Sequence, residues 1–290
     1  MSIFSIENPM PPDWLMYPEI PIGSIGWRMG YGEYYGAEQF DWFSSLSKED
    51  QERYNELFPM PKMWYYDNYK RAAIMFWTPN GRPIYGLSEH LKEYQHEKQF
   101  DYQFFWGHQP SVEGSLTSSC FSQWWKSDFR FGIEQYCCVE QYLMAKKAQL
   151  FEDNQAYNAI MDNDDPKVIK ALGRKVKKFN EMVWSEYKYQ IALNGNYAKF
   201  MQNQKLKEFL LATGDKIIVE ASPYDAIWGI KMSQTNKGIQ NPNNWKGENL
   251  LGFALMEVRS EIKRVCKNEE RINWKQLHVK FSESRVNRER

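Results

Sequence analysis

Between Glu134 and Phe151 the chain reads EQYCCVEQYLMAKKAQLF, a stretch of helical character with apolar residues on both of its faces. In a helix, residues seven apart are nearly eclipsed, two turns or roughly 10 Å along the axis. Tyr136, Glu140, Leu143, Met144, Lys147 and Phe151 therefore share one face, and Val139, Tyr142 and Leu150 lie on the opposite one. A helix that is apolar all round must be enclosed by other elements. The segment is expected at the centre of a helical core, with a carboxylate and an amine inside it. Burying an ionised group is unfavourable unless it is paired, hydrogen-bonded or serving a ligand. Two readings are open on this pattern. The pair is structural, with partners elsewhere or with the lysine amine reaching water; or Glu140 faces a polar pocket as a catalytic carboxylate, its pKa adjusted by Lys147 and by burial.

The rest of the chain supports a mainly α fold with a few short strands and an aromatic-rich N-terminal extension. From Pro9 to about Gly36 the sequence is Pro, Gly and aromatic with little periodicity, which predicts a loop-rich arm. Its Gly30-Tyr-Gly32-Glu-Tyr-Tyr-Gly36 has one residue too many for a dinucleotide fingerprint. Residues 38–58 have helical character, and Ala72 to Trp77 reads as a strand with Asn80-Gly81 as a turn. A helix is expected from Pro166 with Asp165 as N-cap. Another is expected between Lys175 and Leu193, stopping at Asn194-Gly195, and a further one from Tyr197 to Ala212, closed by Gly214. Ile217 to Glu220 is β-branched and reads as a brief strand; Leu251, Leu255, Val258, Ile262 and Val265 keep helical spacing between about Leu250 and Cys266. The division expected is an extension over 1–100, a catalytic domain over 101–266 and a basic tail over 267–290.

Composition narrows the function classes. The 12 Trp, 18 Tyr and 17 Phe supply either a large core or stacking surface for a planar ring. Net charge is zero, so nothing global argues for nucleic acid; from Arg259 to Arg290, however, ten basic residues face five acidic ones. That tail is either a solvated helix end or a surface for phosphates. Cys120, Cys137, Cys138 and Cys266 contain no C-x-x-C pair, and His90, His96, His108 and His278 form no metal spacing with them. Reduced thiols, no metal and no cofactor are expected. No secretory signal is visible and the longest conspicuous apolar run, Ala72 to Trp77, is too short to span a bilayer, so a cytoplasmic location with no membrane partner is expected.

Three further segments carry candidate chemistry. In EASPYDAIWGI, 220–230, Ser222-Pro223-Tyr224-Asp225 reads as a helix start, which alone accounts for Asp225; Trp228-Gly229 beside it suits a stacking wall with close backbone approach. In SSCFSQWWKSDF, 118–129, Ser122 and Trp124 are candidate substrate contacts, against the plainer reading of a turn and a core indole pair; no serine triad is visible. In GENLLGFALMEVR, 247–259, Gly252 lies inside a helix, where it costs about 1 kcal/mol against Ala; close helix contact explains it, or a helix start at Asn249 faces a phosphate.

The order of these segments is more specific than any one of them. FWG at 105–107, CFSQWW at 120–125, VEQYLMAKKAQLF at 139–151, ALGRKVKKF at 171–179, Trp184, AKFMQNQKLKEFLLATG at 198–214 and the two blocks at 220–230 and 247–259 together resemble the NADAR (NAD- and ADP-ribose-associated, YbiA-like) family over about residues 104–265. The resemblance implies a multihelical YbiA-like domain with a cleft, and metal-free hydrolysis of an N-glycosidic bond. It assigns catalytic roles to Glu140, Lys147 and Asp225, and substrate binding to Trp184 and Trp228, with Arg174 and Asn249 at matching motif positions. Trp124 and Ser122 complete the expected binding set. The chain departs from the family at Lys231, often Gly, and at Gln123, often Asn. Substrates implied are ADP-ribose on guanine in nucleic acid, or ribosylamino-pyrimidine phosphates of riboflavin synthesis; a non-catalytic ADP-ribose reader is the other class. The preferred expectation is ADP-ribosylated single-stranded DNA, with a DNA ADP-ribosyltransferase toxin as the partner such an activity would answer.

Overall fold

The computed structural model describes residues 3–96, 98–111 and 113–277, with Tyr66 described by its backbone alone. Its helices are α1 (Asp13–Met16), α2 (Tyr31–Ser45), α3 (Lys48–Leu57), α4 (Leu87–Gln95), α5 (Val139–Leu150), α6 (Asn154–Met161), α7 (Pro166–Gly173), α8 (Glu181–Gln202), α9 (Gln204–Leu211) and α10 (Leu250–Val265). Four short strands, β1 (Tyr102–Phe105), β2 (Phe129–Phe131), β3 (Glu134–Tyr136) and β4 (Ile217–Glu220), complete a mainly α fold. β1 and β4 are parallel, with Phe105 opposite Glu220; β2 and β3 form a hairpin. Among the described residues no helix is long and apolar enough to cross a membrane.

Helix α5 is the enclosed centre that its sequence predicts: every residue except Gln149 is buried, and it packs on α6, α7 and α8. The helix starts later than expected. Glu134 to Tyr136 is strand β3, not a first helical turn, because the Phe129 and Tyr136 rings stack across the hairpin at 5.6 Å and the Tyr136 hydroxyl donates to Glu134.

A second boundary is overturned by packing. The helix expected to stop at Asn194-Gly195 continues through it as α8. A Cβ on Gly195 would stand 2.8 Å from the Tyr142 ring, so the glycine lets α8 lie against α5. Asn194 uses both ends of its amide, accepting from the Trp77 indole at 2.8 Å and donating to the Met75 carbonyl. Gln190 likewise accepts from the Trp77 amide at 2.6 Å. Local turn chemistry thus loses to tertiary hydrogen bonds. The same bonds explain why the strand expected over Ala72 to Trp77 is only a Tyr69–Met75 bridge: its polar groups are taken by α8, and Ala72 and Ala73 turn through φ of 55° and 52°.

The extension is no loose arm. α2 begins at Tyr31, inside the segment expected as loop, and Tyr35, Trp42, Tyr54, Phe58 and Trp77 share one core with Leu193 and Phe200 of α8 and Leu255 and Val258 of α10. These aromatics are core rather than stacking surface. In the basic stretch that opens at Arg259, the Arg259 guanidinium is buried on Thr213 and the Lys216 carbonyl, and Arg264 is bonded to Glu261; residues 278–290 lie outside the described residues.

Candidate active site

The site forms where the first turn of α5 meets the carboxyl ends of β1 and β4, the end at which paired parallel strands leave a crevice. The Glu140 amide donates to the Gln123 carbonyl at 2.9 Å, so the 118–125 loop sets the start of α5. Lys199 holds that loop from behind, its buried ammonium donating to the carbonyls of Cys120 at 2.6 Å and Ser122 at 3.1 Å. The Glu140 side chain is 2% exposed and its Oε1 has no hydrogen-bond partner. Burial pushes its carboxyl above the usual carboxylate range and Asp225 adds to this, against Lys170, a hydrogen bond from the Trp124 indole, and Arg174.

A second acid, Glu220, lies at the end of β4. Burial first, then the charges of Asp225 and Glu140, push it up to about 8, with Lys170 opposing. Its Oε2 also lacks a partner. Sequence reasoning passed over Glu220 as the last residue of a brief strand. The signal available was an acid closing a β-branched run immediately before Ala-Ser-Pro. Lys170, whose ammonium stands 5.6 Å over the Trp124 ring, was missed as well.

Asp225 stands in a loop, not in the helix expected from Ser222. Ser222 Oγ accepts from the Asp225 amide at 3.2 Å, and Asp225 Oδ1 accepts from the amides of Ile227 and Trp228 at 2.9 and 2.8 Å. These are the bonds of a helix cap, but the following carbonyls turn away to α10: Ile227 accepts from Leu250 and Trp228 from Leu251. At the start of α10 the amides of Asn249, Leu250 and Leu251 are therefore taken by protein carbonyls. Asn249 is fully buried, with Oδ1 accepting from the Glu220 amide at 3.0 Å and Nδ2 donating to the Ile218 carbonyl at 2.9 Å. It aligns β4 and thereby Glu220.

Lys147 lies two turns along α5 in an aromatic niche. Its ammonium donates to the Gly173 carbonyl at 2.9 Å, 4.2 Å from the Phe179 ring centre and 5.2 Å from that of Trp184. Burial lowers its pKa, with Glu181 and then Glu140 opposing. The structure thus brings together Glu140, Glu220, Asp225, Trp124, Lys170 and Arg174, and sets Lys147 with Trp184 next to them. Trp228 packs against both main cores. Ser122 Oγ accepts from the Trp124 amide at 3.1 Å and so orients that indole. Gln123, at the position where the sequence departs from the family, is buried with Nε2 unpartnered.

A cleft of about 520 Å³ opens at this edge between His108, Pro110, Trp124, Trp125, Lys126 and Pro166. A larger hollow of about 840 Å³ lies on the other side of α5, lined by Lys146 and Glu134 among others, and contains none of the expected site residues. Among the described residues no three His, Cys, Asp or Glu side chains converge closely enough to hold a metal ion.

Residues 104–263 match the NADAR domain family. The chain is 41% identical over 165 residues to N-glycosidase R617 of Acanthamoeba polyphaga mimivirus, covering 55% of this chain and 95% of that one. It is 32% identical over 123 residues to N-glycosidase YbiA of Escherichia coli K12, covering 42% and 68%. Protein irg-1 of Caenorhabditis elegans is 35% identical over 130 residues, covering 44% and 61%. The solution structure of E. coli YbiA is 27% identical, covers 57% of this chain and 86% of its own, and has a TM-score of 0.45.

Proposed function

Because this chain belongs to the NADAR domain family, matched over residues 104–263, we propose that it is an N-glycosidase that removes ADP-ribose from guanine in single-stranded DNA. The observation that carries the bond class is Glu140, a buried carboxylate with an unpartnered oxygen whose amide is bonded to the loop that brings Trp124 to the cleft. Cleaving a C1–N bond builds positive charge on the ribose, which a fixed carboxylate in a water-poor site stabilises. Glu140 supplies that charge and activates the attacking water. Asp225, with Oδ1 occupied by two amides, has Oδ2 for ribose hydroxyls. Trp124, Trp184 and Trp228 provide flat walls for base and sugar.

Support for a polyanionic substrate comes from the run between 167 and 178, where Lys167, Lys170, Arg174, Lys175, Lys177 and Lys178 occur with no acidic residue. Exposed rings stand in the segments that follow β1 and β4, Trp106 at 54% and Tyr224 at 84%. Cations interleaved with open aromatic faces suit a single strand, whose phosphates and unstacked bases need both. Such an activity would answer a DNA ADP-ribosyltransferase toxin.

Incubation with an ADP-ribosylated single-stranded oligonucleotide is expected to release ADP-ribose, detected by mass spectrometry, and Glu140→Gln is expected to release none. No release by the wild-type chain overturns the substrate. Cleavage of ribosylamino-pyrimidine phosphates in its place would reassign it, and ADP-ribose binding without turnover of either would make the protein a reader. Lys147→Met is expected to lower kcat/KM by about 10²-fold while leaving the fold intact. Borohydride added during wild-type turnover separates its roles: a reduced adduct on Lys147 marks an attacking amine, and none marks an ammonium that acts through charge.

A further inference from the structure

We propose that the hollow between the N-terminal extension and α5 is a second binding site, for a small apolar carboxylate that carries a hydrogen-bond donor beside its anionic group. None of the residues gathered around Glu140 lines it, so the site stands whichever bond the protein cleaves.

At about 840 Å³ the hollow has the size of a site for a small organic molecule. The loop at 21–25 and the turn at 69–73 form its walls on the side of the extension; the β2–β3 hairpin and α5 form the others. These walls are tied together. The Gly132 amide, at the tip of the hairpin, donates to the Glu19 carbonyl at 2.8 Å. Ala72 and Ala73 turn through φ of 55° and 52°, where residues with a side chain are uncommon, and the turn presents the Ala72 carbonyl to Lys146.

Lys146 supplies the charge. The residue is 5% exposed, and its ammonium stands between two walls, 3.2 Å from the Ala72 carbonyl oxygen and 5.7 Å from the centre of the Phe131 ring. An ammonium has three donors. Only the Ala72 carbonyl accepts from this one, and among the described residues Lys146 forms no ion pair. Glu134 lines the same hollow, but its two oxygens accept from the Tyr136 and Tyr157 hydroxyls. A buried charge so poorly met is unfavourable unless a ligand completes it.

One turn further along α5, Gln149 also lines the hollow, with Oε1 buried and without a partner. Residues three apart are neighbours on a helix face, so a cation with spare donors lies beside an unused acceptor. A carboxylate with an adjacent hydroxyl answers both, its anion on Lys146 and its hydroxyl donating to Gln149 Oε1. One lysine with Glu134 nearby suits a single negative charge rather than a dianion. Ile22, Phe131 and Ile133 offer apolar wall to the body of the ligand.

Calorimetric titration of the full chain with phenyllactate, phenylpropionate and phenylethanol tests each part, since the second lacks the hydroxyl and the third the carboxylate. Phenyllactate is expected to bind most tightly, phenylpropionate several-fold more weakly, and phenylethanol not measurably. Lys146→Met is expected to weaken both acids by at least about 10-fold, and Gln149→Leu to bring phenyllactate down to the affinity of phenylpropionate. Ile133→Asp changes a rim residue that is 79% exposed. It is expected to weaken both acids with no change in melting temperature, which keeps the test open if Lys146→Met fails to fold. No binding of either acid at millimolar concentration, equal affinity for acid and alcohol, or undiminished binding in both Lys146→Met and Ile133→Asp overturns the site. Equal affinity of the wild type for the two acids overturns the donor beside the anion.

Discussion

Glu140→Gln is expected to lose at least about 10³-fold in kcat, with KM within a few fold of wild type and a melting temperature that does not fall. The amide is nearly isosteric and still accepts from the Trp124 indole, so positioning survives. What goes is the negative charge facing C1, an interaction made chiefly in the transition state, and such losses fall on kcat. Stability moves the other way. The buried carboxylate has an open Oε1 and no ion-pair partner, an arrangement that favours chemistry over folding. Steady-state release of ADP-ribose and a thermal melt on the same sample check both halves. A variant within tenfold of the wild-type rate would remove Glu140 from the chemistry.

The parts of this site that a reader of the sequence can find are those fixed by periodicity and chain order. The enclosed helix follows from apolar residues on both faces of α5, and the paired charges follow from their spacing of seven. What misleads is local chemistry with more than one outcome. Ser222 and Asp225 accept amides as caps do, yet no helix follows, because the carbonyls after them are taken by the start of α10. Asn194-Gly195 has the composition of a turn, but contacts with Trp77, Met75 and Tyr142 keep it helical. Glu220 is hidden for another reason. A four-residue strand shows no face, and its importance depends on parallel pairing with Phe105 and on an asparagine 29 residues later.

Gly252→Ala is expected to destabilise the chain strongly, by about 3 kcal/mol, and to lower activity as well. The sequence suggests close contact with another helix at this glycine; the contact is with a strand. A Cβ there would stand 2.0 Å from the Ile218 carbonyl oxygen and 2.5 Å from Asn249 Nδ2. The first is backbone and cannot rotate away. The second belongs to the side chain that ties both Ile218 and Glu220 to α10. Relief requires α10 to retreat from β4 or Asn249 to release it, and either shift moves the Glu220 carboxyl relative to Glu140. At this chain length the loss corresponds to a fall in Tm of about 5 °C. Gly214→Ala is the control: φ is +59° but nothing lies within 4 Å, so only backbone strain opposes the methyl and about 1 kcal/mol is expected. Gly252 is helical and carries no such strain, so a loss at Gly252 no larger than that at Gly214 would mean that the α10–β4 contact yields to the methyl, and Asn249 would lose its place as the residue that aligns Glu220.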